Sequence, residues 1–136
     1  MRYLLDTHIL VWLITDDKQL KPAIETILYE EQNEFYVSLE SLREMVIKTK
    51  LNKGAFILPQ GFTISVIASL LVSTLRIKSL GLTLAHIQRL EELNPEHNDP
   101  FDHLLICQAI EERLIMISHD GKFPYYRQHG LKLLAA

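Results

Sequence analysis

A single cysteine, Cys107, stands among the 136 residues. That scarcity excludes an internal disulfide framework and a cysteine-rich zinc site, and it suits a reducing, cytoplasmic compartment. Only five glycines occur, none clustered, so neither a phosphate-cradling P-loop nor a GxGxxG turn is present. A serine-hydrolase elbow is missing as well. Positive charge is not in excess. Fourteen Lys plus Arg against 17 Asp plus Glu give a net charge of −3, unlike a protein that coats nucleic acid through bulk basicity. The first residues, MRYLLDTHILVWL, place Asp6 and His8 inside what would have to be the apolar part of an export signal, which argues against export. The uncharged stretch from Gly54 to Leu75 is broken by Pro59-Gln60-Gly61. It then carries Ser65, Ser69 and Ser73 at every fourth position, the mark of an amphipathic helix and not of a bilayer span.

What the chain does have is 48% hydrophobic residues, enough for one compact domain over 1–136 with a substantial core. Short apolar runs at Tyr3-Leu4-Leu5, Phe35-Tyr36-Val37, Leu75-Arg76-Ile77, Leu114 to Ile117 and Leu131 to Leu134 read as strands. Between them lie helical patterns at Ile9 to Ile14, Leu20 to Tyr29, Ser38 to about Leu51, Phe62 to Val72, Thr83 to Leu93, and Asp99 to about Arg113. Uniformly apolar strands alternating with helices predict an α/β fold, a three-layer α/β/α sandwich around a parallel sheet.

In such a sheet, ligands and reactive groups gather beyond the carboxyl ends of the strands. Asp6 follows the first strand, Glu40 and Glu44 lie in the helix after the second, and Asp120 follows the Leu114–Ile117 strand. Asp99 and Asp102 open the helix that feeds that strand, and a right-handed crossover puts its N-terminus at the same sheet end. Each acid alone has a plainer explanation. Asp6 and Asp99 suit helix caps, Glu44 pairs with Lys48 at i, i+4, Asp102 complements a helix dipole, and Asp120-Gly121 is a turn dipeptide.

Together they are harder to explain as scaffolding. Four converging carboxylates repel one another by several kcal/mol at low effective dielectric, and a cation relieves that repulsion. All-oxygen donors suit a hard divalent metal such as Mg²⁺ or Mn²⁺, which can activate water and stabilise the leaving oxygen of a phosphodiester. Two rivals fail on the sequence. A haloacid-dehalogenase-type phosphatase needs a second Asp where His8 stands. A receiver domain needs an acidic pair near the first strand and a central phosphoacceptor, but Ser38-Leu39 follows Val37. The histidines near the acids, His8, His97, His103 and His119, form no HExxH pair and read as polar neighbours. Cys107 reads as a core residue, and Tyr3 and Trp12 as core or interface residues.

The blocks LLDTHILVWLI, VSLESLREMVIKTKLNKG, DPFDHLLICQA and IMISHDGKF, in this order, resemble the signature blocks of PIN-domain nucleases, most nearly the VapC-type toxins of bacterial type II toxin–antitoxin pairs. The resemblance spans nearly the whole chain and implies an α/β/α fold with a parallel sheet. It implies metal-binding catalytic acids at Asp6, Glu44, Asp102 and Asp120, and it selects Glu44 over Glu40, which spacing leaves open. Thr7, Asp99 and Ser118 become supporting residues, Asp99 first as a helix cap. The implied activity is Mg²⁺-dependent endoribonuclease cleavage of RNA leaving a 3′-hydroxyl, by a homodimer inhibited by a small cognate antitoxin. A non-catalytic PIN-like binding module and a nuclease acting on DNA are the alternatives.

The chain departs from the subgroup pattern at Arg43, Asn98, His103 and Ser118, none of which removes a carboxylate. These departures bear on substrate contacts, a role that Arg43, Lys48, Lys50 and Lys53 could take over; the plainer reading of this basic run is a solvated helix face.

Overall fold

A computed structural model describes residues 1–51 and 58–136; Lys53, one of the basic residues considered above, lies outside the described residues. Five strands, β1 (Arg2–Leu5), β2 (Glu34–Ser38), β3 (Lys78–Leu80), β4 (Ile115–Ser118) and β5 (Lys132–Ala135), form one sheet in the order β3-β2-β1-β4-β5. Every neighbouring pair is parallel. The helices are α1 (Thr7–Ile14), α2 (Pro22–Leu28), α3 (Leu39–Lys50), α4 (Ile64–Ser73), α5 (Leu84–Glu92) and α6 (Pro100–Glu112), with a 3₁₀ segment over Phe123–His129.

Side-chain alternation along the strands divides the interior into two cores. Tyr3 and Leu5 of β1, Phe35 and Val37 of β2 and Ile117 of β4 face one side, where Ile9, Trp12, Ile24, Met45, Ile67 and Leu71 bring α1, α2, α3 and α4 against them. Leu4 and Met116, cross-strand partners in the register, face the other side and meet Leu105, Ile106 and Ala109 of α6 with Phe123 and Tyr126 of the 3₁₀ segment. Helices on both faces of a parallel sheet make the expected α/β/α sandwich. Ile67 and Leu71 of α4 are buried while Ser65, Ser69 and Ser73 are exposed, as the hydroxyl stripe predicts. Among the described residues no helix is long and apolar enough to cross a membrane.

One strand lies elsewhere than expected. Leu75 and Ile77 do not pair in the sheet; their amides bond back to the carbonyls of Leu70 and Leu71, and Arg76 between them has φ 52°. They close the end of α4, and Ile77 fills the first core. The strand follows at Lys78–Leu80, an edge strand with its first two residues exposed and hence no apolar run to betray it. Arg113, left-handed at φ 56°, ends α6 and moves β4 one residue beyond the apolar run.

A buried polar link fixes the sheet to α6. Ser38 Oγ at the end of β2 donates to Gln108 Oε1 at 2.6 Å, and Gln108 Nε2 donates to the Gly81 carbonyl at 3.3 Å. Gln108→Leu leaves the buried Ser38 hydroxyl without its acceptor and away from water, while the exposed Gly81 carbonyl can turn to solvent. The substitution is expected to destabilise the protein by about 1–3 kcal/mol, read as a lower urea midpoint at unchanged slope.

Candidate functional site

The carboxyl ends of β1 and β4 lie side by side at the sheet centre, and the acids are arranged around them. Asp6 is the residue where β1 turns into α1. Its amide still bonds to the Ile117 carbonyl, while its Oδ1 accepts from the Thr7 amide at 2.7 Å as the helix cap. Its Oδ2 accepts from Ser118 Oγ at 2.7 Å, and the same Ser118 Oγ accepts from the Asp120 amide at 3.1 Å. One buried hydroxyl thus ties the end of β1 to the loop after β4. Asp120 itself closes a turn, with its Oδ1 accepting from the Lys122 amide at 2.9 Å.

Ser38 caps α3 by accepting from the Glu40 amide, and this start sends Glu44 inward. Glu44 is 3% exposed, which separates it from Glu40, half-buried and paired with the exposed Arg43 at 3.1 Å. Thr7 Oγ1 donates to Glu44 Oε1 at 2.7 Å and stands 3.0 Å from Ser41 Oγ. Lys48 Nζ donates to Glu44 Oε2 at 2.6 Å. Asp102 enters from the opposite layer, in the first turn of α6, where the helix dipole favours an anion. Asp99 caps that helix as expected, accepting from the amides of Phe101 and Asp102. Asp102 Oδ2 lies 3.0 Å from His97 Nε2.

These placements put the four acids in one electrostatic neighbourhood. Burial pushes the Asp102 carboxyl up from 3.8 to about 8, and the charges of Asp6, Asp99, Asp120 and Glu44 add to the rise. Burial likewise raises Asp6 to about 6 against the opposing bonds from Ser118 and Thr7, with Glu44 and Asp120 contributing upward. Burial alone would lower Lys48, but the Glu44 bond and the charges of Glu44, Asp99 and Asp102 outweigh it and raise the ammonium. His8 is lowered by burial, and His97 by burial and by His103. The same effect lifts the Cys107 thiol to about 11, so this core residue carries no thiolate near neutrality.

The acids repel one another without closing on a point. Among the described residues no group of three or more His, Cys, Asp or Glu side chains is set to hold one metal ion in this arrangement. Glu44 is occupied by Lys48, and Asp102 by His97. The donor chemistry nevertheless fits a hard cation: carboxylate oxygens, with the proton affinity of Asp102 raised by burial first and by its neighbours' charge second. A cavity of about 280 Å³ opens beside two of the acids, lined by Asp6, His8, Trp12, Gln19, His119 and Asp120. Its interior is edged by the Trp12 ring, in T-shaped contact with His119 at 5.3 Å and His8 at 6.1 Å.

Of the basic residues considered from sequence, Lys48 is bonded to Glu44 and stands 6.0 Å from the Phe101 ring, whereas Arg43 lies 5.5 Å from that ring and pairs outward with Glu40. Sequence reasoning missed Ser41, Gln108 and the pair His97–Tyr126. Their partners lie 29 to 70 residues away for the most distant contacts, beyond any local pattern.

The chain matches the PIN domain family over residues 3–128. Among curated proteins it has no match. It is similar in fold to the crystal structure of VapBC2 from Rickettsia felis bound to a DNA fragment from their promoter, with TM-score 0.72 and 19% identity, covering 99% of this chain and 98% of that one. VapBC-1 from nontypeable Haemophilus influenzae superimposes with TM-score 0.66 at 18% identity over 99% and 98% of the two chains. VapBC-5 from Mycobacterium tuberculosis, a member of the VapBC family of toxin–antitoxin systems, does so with TM-score 0.60 at 12% identity over 99% and 98%.

Proposed function

The chain belongs to the PIN-domain family, and from that premise we propose that it is a Mg²⁺- or Mn²⁺-dependent endoribonuclease, the toxin of a type II toxin–antitoxin pair. One observation carries the reading: Asp6, Glu44, Asp102 and Asp120 come from four separate segments into one neighbourhood, where burial first, and then the charges of Asp6, Asp99, Asp120 and Glu44, hold the Asp102 carboxyl up. A scaffold gains nothing from such repulsion, whereas a cation-binding site depends on it.

In this reading Asp6, Glu44, Asp102 and Asp120 hold the metal and are the catalytic acids. A divalent ion bound there supplies positive charge at the scissile phosphate and lowers the barrier to attack by water. The water oxygen bonds to phosphorus as the bond to the 3′ oxygen breaks, leaving a 3′-hydroxyl and a 5′-phosphate. Thr7 orients Glu44, and Ser118 orients Asp6 and holds the Asp120 loop. Asp99 supports Asp102 by fixing the start of α6. Arg43 and Lys48, beside Phe101 at the rim, are the phosphate-binding residues, and Lys48 also neutralises Glu44. Metal-borne charge reconciles a polyanionic substrate with a chain of net charge −3.

A cytoplasmic homodimer of a single nuclease domain, held inactive by a small antitoxin, completes the proposal. Val72 at 78% exposure and Leu84 at 71% on α4 and α5 offer apolar surface for such partners. The test incubates the protein with a single-stranded RNA and the DNA of the same sequence in Mg²⁺ or Mn²⁺, with and without EDTA. Metal-dependent RNA fragments ending in a hydroxyl that a poly(A) polymerase can extend are expected. Cleavage of the DNA alone transfers the reading to a deoxyribonuclease, and cleavage that survives excess EDTA ends it.

A further inference from the structure

Asp102 is steered by a chain of groups that the acid quartet does not include. The Tyr126 hydroxyl, at the end of a fully buried ring, accepts from the Glu96 amide at 3.1 Å and lies 2.7 Å from His97 Nδ1. His97 Nε2 lies 3.0 Å from Asp102 Oδ2. The imidazole is seated against the rings of Tyr126, His103 and Phe123, and the His97 carbonyl accepts a further bond from His103 Nε2.

Proton bookkeeping follows from the donors. The Glu96 amide can only donate, so the Tyr126 oxygen accepts there and its one hydrogen is free to go to His97 Nδ1. A neutral imidazole that accepts at Nδ1 must carry its hydrogen at Nε2, which faces the Asp102 carboxylate.

We propose that His97 is the positioning residue of Asp102: Tyr126 selects the Nε2–H tautomer, which donates to Asp102 Oδ2 and would leave Oδ1 to take a divalent cation. The inference rests on the metal-nuclease reading above and adds to it a residue that orients an acid without touching metal or substrate. A single oxygen of Asp102 is thereby committed before any cation arrives, and the other keeps its lone pairs for the ion. Partners that orient a metal-binding group in this way typically contribute 10–100-fold to metal affinity.

Two measurements test it. In the metal-free protein at pH 9.5, where the Asp102 carboxyl is ionised, ¹⁵N spectra of the imidazoles are expected to show His97 with Nδ1 bare and Nε2 protonated, and Tyr126→Phe is expected to mix the tautomers. Hydrogen at Nδ1 in the unaltered protein overturns the proposal, and this result does not depend on any variant folding. In Mn²⁺ titrations followed by water-proton relaxation, His97→Leu is expected to weaken binding about 10–100-fold. His97→Gln, which keeps an amide donor, should recover most of that loss. Full Mn²⁺ affinity in His97→Leu alongside its loss in Asp102→Asn overturns the role of His97 and leaves the nuclease reading standing. Full affinity in Asp102→Asn as well removes the metal site itself.

Discussion

Asp6→Asn is expected to reduce metal-dependent RNA cleavage by about 10³-fold or more while the protein stays folded. The asparagine Oδ1 still accepts from the Thr7 amide, so α1 keeps its cap, and the new amide nitrogen can donate to Ser118 Oγ. What is lost is the negative charge, at a position where burial and the neighbouring acids already disfavour it. The metal-free variant should therefore melt at or above the temperature of the unaltered protein at pH 8, even as activity disappears. That opposition separates a functional carboxylate from a structural one. A variant that cleaves RNA undiminished, or that loses activity only because it unfolds, would remove Asp6 from the site.

The second large effect is linkage between pH, metal and stability. Asp6 and Asp102 have folded-state values of about 6 and about 8 against 3.8 for an ordinary Asp. Both are raised, so between the ordinary and the folded value the native state holds more protons than the unfolded chain. Stability from these groups is complete below about pH 4 and is lost as the pH rises through 6 and 8. Other acids oppose this at low pH, and His8 and His97, both held below the ordinary imidazole value of 6.5, oppose it up to about pH 7, so the clean window is pH 7 to 8.5, where Asp102 dominates. Across it the metal-free protein is expected to lose melting temperature steadily. A divalent ion at a hundred times its dissociation constant should restore roughly 10 °C at pH 8 and far less at pH 5, where protons compete for the same oxygens. A metal-free curve that is flat or rising over this window, or an equal metal effect at both pH values, would contradict the repulsive cluster.

Much of this is legible in the sequence, for identifiable reasons. β1, β2 and β4 occupy the sheet interior and must be apolar on both faces, so Tyr3–Leu5, Phe35–Val37 and Ile115–Ile117 announce themselves. β3 lies at the edge, where Lys78 and Ser79 meet solvent, and its apolar neighbours Leu75 and Ile77 belong to a helix end. The 3₁₀ segment over Phe123–His129 has no period long enough to recognise. At the site, the rule that reactive groups follow strand ends located Asp6 and Asp120 directly. Glu44 could not be told from Glu40 by spacing, because only the packing of α3 decides which of them turns inward. In the sequence His97 is only a neighbour of the acids, since its contact with Tyr126 spans 29 residues.

The division of the interior into two cores bears on when the protein becomes active. Glu44 belongs to a helix packed on one side of the sheet, Asp102 to a helix on the other, and Asp120 follows the strand between them. Neither half of the sandwich carries a working set by itself. A nascent chain on the ribosome, with its first helices already docked but position 120 still in the exit tunnel, is unarmed. On the proposed reading, a cell that makes this nuclease is not exposed to it until translation has gone past that point.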